Sequence, residues 1–288
     1  MVSFAGPKRS VLLGLIGQDI GRSRTPEMQM AEGEAQGLRV VYRLIDLTKL
    51  GLGVDALPEL LRAAQQTGFD GLNITHPCKQ AVIPLLDELS DDARALGAVN
   101  TVLFRDGRRI GHNTDWSGFA EPFRQKMADV RLDRVVQLGA GGAGAAVAHA
   151  ILTLGAKQLT IFDIDESRAR AVADTLCGHF GAGRARAGTN REAEIGEADG
   201  LVNATPIGMD AHPGLPLDAA LLRPDLWVAE VIYFPLETEL LRRARALGSR
   251  TIDGGGMAIY QAVAAFRLFT DLEPDAARMS AKFDSMGA

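Results

Sequence analysis

A glycine-rich segment that follows a short apolar run constrains this chain more than any other feature. The segment LGAGGAG occupies 138–144, and its glycines at 139, 141 and 144 match G-x-G-x-x-G. The apolar run 135–138 precedes it and the alanine-rich stretch 145–154 follows. In a strand, turn and helix of this kind, glycine lets the backbone approach a pyrophosphate at the helix N-terminus. We therefore predict a dinucleotide site formed by Gly139, Ala140, Gly141, Gly142, Ala143 and Gly144.

An acidic residue follows the next apolar run and indicates which dinucleotide is bound. The run 158–162 ends at Asp163, nineteen residues after Gly144. A carboxylate there accepts hydrogen bonds from the adenine-ribose hydroxyls and repels a 2′-phosphate, so the pattern predicts NAD. Arg168 is either a helix-surface residue or a contact of the adenine ribose, and the sequence leaves both interpretations open.

Composition excludes several classes of protein. The chain has 288 residues, from which we expect two domains. Its net charge is −5 and it has no basic stripe, so we expect no nucleic-acid partner. Its two cysteines, Cys78 and Cys177, predict neither a disulfide framework nor a metal site, and a reduced, cytoplasmic setting fits them best. No apolar stretch reaches the ~20 residues that a membrane span needs, so no membrane partner is expected.

Strand-like and helical runs alternate along the chain, which predicts an α/β fold with mainly parallel sheets. We expect a parallel-sheet substrate domain, discontinuous over 1–118 and 254–288, and a Rossmann-type NAD-binding domain over 119–253. Predicted strands are 11–16, 40–45, 70–74, 99–104, 134–138, 158–162, 200–203, 227–231 and 250–252. Predicted helices in the first domain are 26–36, 55–67, 77–86, 90–96, 257–270 and 275–286. Ligands collect at strand carboxyl ends and domain junctions, where we expect the active site.

Four polar clusters lie outside the predicted nucleotide domain, at 23–26, 73–79, 97–101 and 113–115. Each also has an ordinary structural interpretation. Ser23 or Thr25 before a proline is typical of a helix start, Lys79 early in a helix is usually solvated, and Asp115 can cap a following helix.

Together these clusters resemble one family, the shikimate dehydrogenases, over nearly the whole chain. That family carries G-[FL]-N-[VI]-T-x-P-x-K, G-A-V-N-T and N-T-D, then a glycine-rich turn, N-A-T-P, Y-x-P-x-x-T and a late G-x-x-M followed by a glutamine. The same motifs stand here in that order, at 71–79, 97–101, 113–115, 139–144, 203–206, 233–238 and 254–257, with Gln261 after them.

Two departures from the family pattern narrow the resemblance. NADP-using members carry Asn-Arg-Thr where this chain has Asp163-Ile164-Asp165, and shikimate-specific members have serine at the position of Thr25. Both departures look like the NAD-dependent quinate/shikimate dehydrogenases, which serve catabolism of hydroaromatic acids.

The resemblance implies oxidation of the C3 hydroxyl of quinate or shikimate, with Lys79 and Asp115 as the catalytic pair. It implies that the substrate is bound by Ser23, Thr25, Thr75, Asn100, Tyr233 and Gln261. It implies that Asn203, Thr205 and Met257 line the nicotinamide side of the cofactor site.

Two alternatives stay open at this stage. The first is a biosynthetic NADP-dependent shikimate dehydrogenase, against which Asp163 argues. The second is a non-catalytic regulator that binds quinate or shikimate, which would have no need of Lys79 and Asp115. The preferred substrate, the physiological direction and the choice between monomer and homodimer cannot be read from the sequence.

Overall fold

The computed structural model describes residues 8–287, which form two compact units. The first unit comprises 8–114 and 262–287, and the second comprises 115–261. The sequence predicted that the first segment of the first domain ends at 118, four residues after the observed end at 114. It predicted that the second segment begins at 254, eight residues before the observed start at 262. Residues 115–118 and 254–261 therefore belong to the second unit.

The described residues contain twelve strands and twelve α-helices. The strands are β1 Ser10–Gly17, β2 Arg39–Asp46, β3 Gly71–Ile74, β4 Glu88–Leu89, β5 Thr101–Arg105, β6 Arg108–His112, β7 Arg134–Leu138, β8 Gln158–Phe162, β9 Ala185–Ala187, β10 Gly200–Asn203, β11 Trp227–Glu230 and β12 Thr251–Ile252. The helices are α1 Thr25–Ala35, α2 Leu47–Leu50, α3 Leu57–Gln66, α4 Cys78–Ala81, α5 Asp91–Leu96, α6 Asp115–Lys126, α7 Gly142–Thr153, α8 Glu166–Phe180, α9 Arg191–Gly196, α10 Glu239–Ala246, α11 Gly255–Thr270 and α12 Ala276–Ser285.

The sheet of the first unit is parallel at one side and mixed at the other. Its strand order is β2-β1-β3-β5-β6-β4, and β1 pairs in parallel with both β2 and β3. Strand β5 runs antiparallel to β3 and to β6, so the expected parallel sheet is interrupted there. The turn Asp106-Gly107, where φ is 51° and 76°, makes β6 antiparallel to β5, because two residues of positive φ close a tight hairpin.

A helix predicted over 77–86 is shorter in the structure. Helix α4 ends at Ala81 and a 3-10 turn, Ile83–Leu85, follows it. Pro84 has no N–H to donate and disfavours a helical residue before it, so a continuous α-helix cannot form.

The C-terminal helices complete the core of the first unit. Phe266 and Phe269 of α11 are buried in one cluster with Val11 and Leu13 of β1. Helix α12 packs on α1, where Arg278 forms a bidentate ion pair with the buried Glu32.

The second unit has the strand order β12-β11-β10-β7-β8-β9, and all of its pairs are parallel. This is the doubly wound dinucleotide-binding arrangement, with the strand order reversing beside β7. Strand β9 is not among the strands predicted from the sequence. A three-residue strand that depends on pairing with β8 has too little pattern of its own to be detected.

Candidate active site

The glycine-rich turn joins β7 to α7 in a conformation that excludes side chains at two of its glycines. Gly139 has φ 99°, and a Cβ there would lie 2.5 Å from the carbonyl oxygen of Ala204. A Cβ on Gly144 would lie 2.4 Å from the carbonyl oxygen of Gly139. The turn is therefore as compact as a phosphate-binding turn must be, and α7 begins within it at Gly142, where the first backbone N–H groups of a helix can bind an anion.

A cavity of about 980 Å³ lies against this turn within the second unit. Five of the residues predicted to bind the cofactor line it, namely Gly139, Gly141, Asp163, Arg168 and Thr205. Apolar side chains complete much of the wall, including Ile161, Ile164, Ile207 and Leu215. A largely apolar cleft with a few convergent polar groups is the usual form of a cofactor site.

The Asp163 carboxylate is hydrogen-bonded to the backbone of the glycine-rich turn. Its Oδ2 accepts a hydrogen bond from the Ala140 N–H at 2.7 Å, and its Oδ1 accepts one from the Asp165 N–H at 3.0 Å. A carboxylate has about four acceptor positions, so two backbone bonds leave capacity for ribose hydroxyls. The Arg168 guanidinium lies 3.9 Å from Asp165 on the surface and also borders the cavity, so both interpretations of Arg168 remain open.

Asn203 is fully buried behind the cavity wall and holds the loop that forms that wall. Its Oδ1 accepts bonds from the Thr205 N–H at 3.1 Å and the Thr205 hydroxyl at 2.7 Å. Its Nδ2 donates to Ile207 O and to Glu230 Oε1, both at 3.0 Å. Thr205 is thus the member of the pair that faces the cavity.

Glu230 is a buried acid that lies outside the family's motifs. Its carboxylate, 1% exposed at the end of β11, accepts bonds from Asn203, from the Thr238 hydroxyl and from the backbone N–H groups of Val231 and Ile232. Burial raises its pKa to about 7, and these four donors oppose that shift. An acidic residue at the end of an otherwise apolar strand was the available signal.

Helices α6 and α11 approach closely within the second unit. A Cβ on Gly118, one helical turn after Asp115, would lie 2.9 Å from both the Cβ and the N of Gln261 and 3.0 Å from Met257 O. The absence of a side chain at Gly118 therefore brings the helix that starts with the buried Asp115 close to the backbone of Gln261. Met257 is itself buried in the core of this unit.

Tyr233, in the loop after β11, is 39% exposed, and its ring centroid lies 4.9 Å from that of Phe234. It is therefore among the accessible polar side chains of the second unit.

In the first unit, Ser23 and Thr25 are half-buried at the start of α1, and the Ser23 hydroxyl accepts a bond from the Thr25 N–H at 3.4 Å. Arg24 between them is 9% exposed and its guanidinium lies 4.5 Å from the centre of the Phe283 ring. It donates to the carbonyl oxygens of Phe283 and Gly287. This anchoring role of Arg24 has no signal in the sequence, because its partners lie about 260 residues further along the chain.

Thr75 and Lys79 follow β3 in a segment that backbone bonds hold on both sides. The Thr75 N–H donates to Ile16 O at 2.9 Å, and the Val99 N–H donates to Lys79 O at 2.9 Å. A Cβ on Gly17 would lie 2.3 Å from Cγ2 of Thr75, so β1 passes directly against this side chain. The bond from Val99 to Lys79 joins the segment that carries Lys79 to the 97–101 motif.

Asn100 links that motif to the residues before Asp115. Its Oδ1 accepts a bond from the Thr114 N–H at 2.8 Å, and its Nδ2 donates to the Thr114 hydroxyl at 2.9 Å. Asn113 donates to Ala98 O at 3.0 Å. Asp115 follows Thr114 directly, so the bonds between Asn100 and Thr114 hold the backbone next to this catalytic candidate.

Other chemistry has little support in the described residues. Cys78 is fully buried, and burial raises the pKa of its thiol, which opposes a nucleophilic role. Between residues 8 and 287, no group of three or more His, Cys, Asp or Glu side chains is arranged to hold a metal ion. Over the same residues, none of the helices combines the length and the apolar character needed to cross a membrane.

Comparison with known proteins identifies the family. Residues 15–102 match the model of the shikimate dehydrogenase substrate binding domain, and 254–281 match that of the shikimate 5'-dehydrogenase C-terminal domain. A protein of Streptomyces avermitilis named shikimate dehydrogenase (NADP(+)) is 61% identical, over 94% of this chain and 94% of its own. One of Corynebacterium efficiens named quinate/shikimate dehydrogenase (NAD(+)) is 56% identical, over 96% of this chain and 99% of its own.

A solved structure agrees with these matches. Quinate dehydrogenase from Corynebacterium glutamicum in complex with NAD is 53% identical, with a TM-score of 0.92, over 96% of this chain and 100% of that one. The doubly wound unit with its glycine-rich turn defines a dinucleotide-binding protein of the α/β class. Within that class, the chain belongs to the shikimate dehydrogenase family.

Proposed function

We propose that this protein is an NAD-dependent oxidoreductase that oxidises the C3 hydroxyl of quinate, shikimate or both to 3-dehydroquinate and 3-dehydroshikimate. The observation that carries the proposal is the Asp163 carboxylate in the wall of the glycine-turn cavity. The turn is compact at Gly139 and Gly144, where a Cβ would meet the chain's own backbone, and open at Gly141 and Gly142, which fits a pyrophosphate beside it. The acid next to this turn fits a ribose with both hydroxyls. The relatives from the two Corynebacterium species carry matching names.

NADP is the alternative cofactor, because relatives of 54% to 61% identity are named for it. Arginines also border the same cavity, which a 2′-phosphate would favour. Two of these arginines are paired with acids, however. Arg186 is bonded by both oxygens of Glu194 at 2.5 and 2.6 Å, and Arg168 faces Asp165. Asp163 adds a like charge against a phosphate, so NAD is favoured.

The oxidation needs a hydride acceptor and a path for the hydroxyl proton. NAD supplies the acceptor through its nicotinamide ring. Lys79 and Asp115 bind the reacting hydroxyl, take up or relay its proton and stabilise the charge that develops on its oxygen. The backbone bond to Lys79 and the bonds of Thr114, next to Asp115, restrict where each of these two side chains can be.

The remaining polar residues recognise the substrate. Ser23, Thr25 and Tyr233 bind the carboxylate, while Thr75, Asn100 and Gln261 bind ring hydroxyls. An analogue that lacks one hydroxyl leaves its buried partner unpaired, which costs affinity. The presence of both Lys79 and Asp115 favours an enzyme over a non-catalytic regulator of the same ligand class.

A four-way assay tests the proposal directly. We expect the purified protein to oxidise quinate or shikimate with NAD and to use NADP at least about tenfold less efficiently, judged by kcat/KM. Asp163→Asn removes the charge that repels a 2′-phosphate and should narrow this ratio, whereas Asp174→Asn, at another acid of the cavity wall, should not. Activity with NADP alone would establish the biosynthetic alternative, and specific binding without turnover would establish the regulator.

The setting of the enzyme is also a proposal. We place it in the cytoplasm as a monomer or a homodimer, acting on small molecules. Sedimentation equilibrium of the purified protein separates these two states.

A further inference from the structure

A chain of buried polar side chains crosses the sheet of the first unit and reaches Asn100. It starts on the edge strand β2 at Tyr42. The Tyr42 hydroxyl donates to Asn73 Oδ1 at 2.7 Å. Asn73 Nδ2 donates to the Thr101 hydroxyl at 3.1 Å, and that hydroxyl donates to Asn100 Oδ1 at 3.0 Å. All four residues are at most 7% exposed. Asn100, which is predicted to bind the substrate, is thus connected through Asn73 on β3 to Tyr42 on β2, with β1 between these two strands.

Each bond in this chain has a defined direction. Asn73 Nδ2 also lies 3.3 Å from the carbonyl oxygen of Asn100, which can only accept. The Asn73 amide therefore presents its oxygen to Tyr42 and its nitrogen to Thr101. Because the Thr101 hydroxyl receives that N–H, its own proton is directed to Asn100 Oδ1. Asn100 Oδ1 takes the Thr114 N–H as well, so its amide is oriented from both sides.

Tyr42 is suited to fix the first of these directions. Its burial raises the pKa of the phenol, so the hydroxyl keeps its proton throughout the physiological range. Apart from the Tyr42 hydroxyl, no donor to Asn73 Oδ1 is found among the residues that the structure describes. Without it, a buried carbonyl oxygen would be unsatisfied, and rotation of the Asn73 amide to find a donor would withdraw the N–H from Thr101.

We propose that Tyr42 is a positioning residue for substrate binding, which acts through Asn73 and Thr101 to orient the amide of Asn100. This rests on the proposed function, in which Asn100 binds a ring hydroxyl of the substrate. Tyr42 itself touches neither substrate nor cofactor in this scheme. The consequence is a control of substrate affinity from the edge of the sheet.

The test is steady-state kinetics of Tyr42→Phe with quinate and shikimate. We expect the KM of the oxidised acid to rise about fivefold, with a smaller change in kcat and less than a twofold change in the KM for NAD. Tyr260→Phe is the matched control, because it removes a phenol hydroxyl bonded to Gln125 in the second unit. It should leave both KM values unchanged.

The next link provides a second, independent variant. Thr101→Val removes the hydroxyl and should raise the same KM, while Thr101→Ser keeps the hydroxyl and should restore it. The double variant of Tyr42→Phe with Thr101→Val should be no worse than the poorer single variant, because both break one chain.

If the wild type is active, either of two results would overturn the inference. One is a lowered melting temperature of Tyr42→Phe with an unchanged KM, which would make Tyr42 purely structural. The other is additive effects in the double variant, which would separate Tyr42 from Thr101. A wild type inactive on both acids would reject the proposed function, and with it this inference, before any variant is compared.

Discussion

At the scale of single residues, Lys79 carries the most specific expectation. Lys79→Ala should lower kcat by about 10²- to 10⁴-fold, because it removes a group that handles the hydroxyl proton. The affinity for NAD should change little, since the cofactor cavity is lined by residues of the second unit. Stopped-flow kinetics with a cofactor titration measures both quantities.

Asp115→Asn provides the companion measurement for that prediction. Residues that act as one unit give non-additive losses, so the double variant should be scarcely slower than the slower single one. Lys49→Ala, at an exposed lysine of α2, is the control and should turn over normally. A folded Lys79→Ala protein with near-normal kcat would reassign Lys79 to the surface.

Thr25 is the residue at which substrate choice is expected to be decided. Quinate carries a tetrahedral carbon with its own hydroxyl beside the carboxylate, whereas that carbon is flat in shikimate. The β-methyl of threonine limits its hydroxyl to fewer rotamers than serine has. Thr25→Ser should therefore lower kcat/KM for quinate more than for shikimate, by about 1 kcal/mol. An unchanged ratio of the two kcat/KM values would place the determinant elsewhere.

At the scale of elements, Glu230 links the ends of β10 and β11 and makes their stability depend on pH. Its folded pKa, about 7, exceeds the reference value of 4.5, so the folded state keeps a proton that the unfolded chain loses between these values. The group's contribution is therefore complete below pH 4.5 and declines as pH rises to 7, by about 3 kcal/mol in total.

Chemical denaturation at pH 5 and pH 8 tests this assignment. The loss of unfolding free energy between the two pH values should be smaller in Glu230→Gln than in the wild type. Glu192→Gln, at an exposed acid of α9, should keep the wild-type loss. Equal losses in all three proteins would show that Glu230 does not titrate in this range.

Elements with a strong pattern of their own were predictable, and those that depend on a partner strand were not. Strands β7, β8, β10 and β11 are buried apolar runs, and the glycine turn lies where the G-x-G-x-x-G pattern placed it. Strand β6, with the sequence RRIGH, has no apolar pattern and forms because the Asp106-Gly107 turn returns it to β5. The Asp106-Gly107 pair is itself a hairpin signal, so the turn could be predicted although the strand after it could not.

The candidate site shows the same division. Residue types and order were enough to nominate Asp163, Lys79 and Asn100. The bond of Arg24 to Phe283 and that of Asn203 to Glu230 were not predictable, because in each case the partner comes from a segment that only the fold brings near. A buried polar residue reveals that it has partners, and its sequence position does not reveal which.

At the scale of the whole molecule, cofactor binding should stabilise the second unit selectively. NAD at 100 times its Kd adds about 2.7 kcal/mol to the folded state, which is about 5–10 °C in Tm for a unit of this size. Differential scanning calorimetry should show a larger rise with NAD than with NADP at equal concentration. Asp163→Asn should reduce the difference, and equal rises in the wild type would contradict the cofactor assignment.

The discontinuity of the first unit has a consequence for synthesis on the ribosome. Residues 115–261 are contiguous and can fold as soon as they emerge, but the first unit lacks Phe266, Phe269 and the partners of Arg24 until 262–287 are made. A nascent chain that ends at residue 261 and is held on the ribosome by an added linker that clears the exit tunnel should therefore protect its second unit from protease, while 8–114 is still cleaved. The Ser23 and Thr25 hydroxyls, among the first site residues translated, are then among the last to reach their final positions.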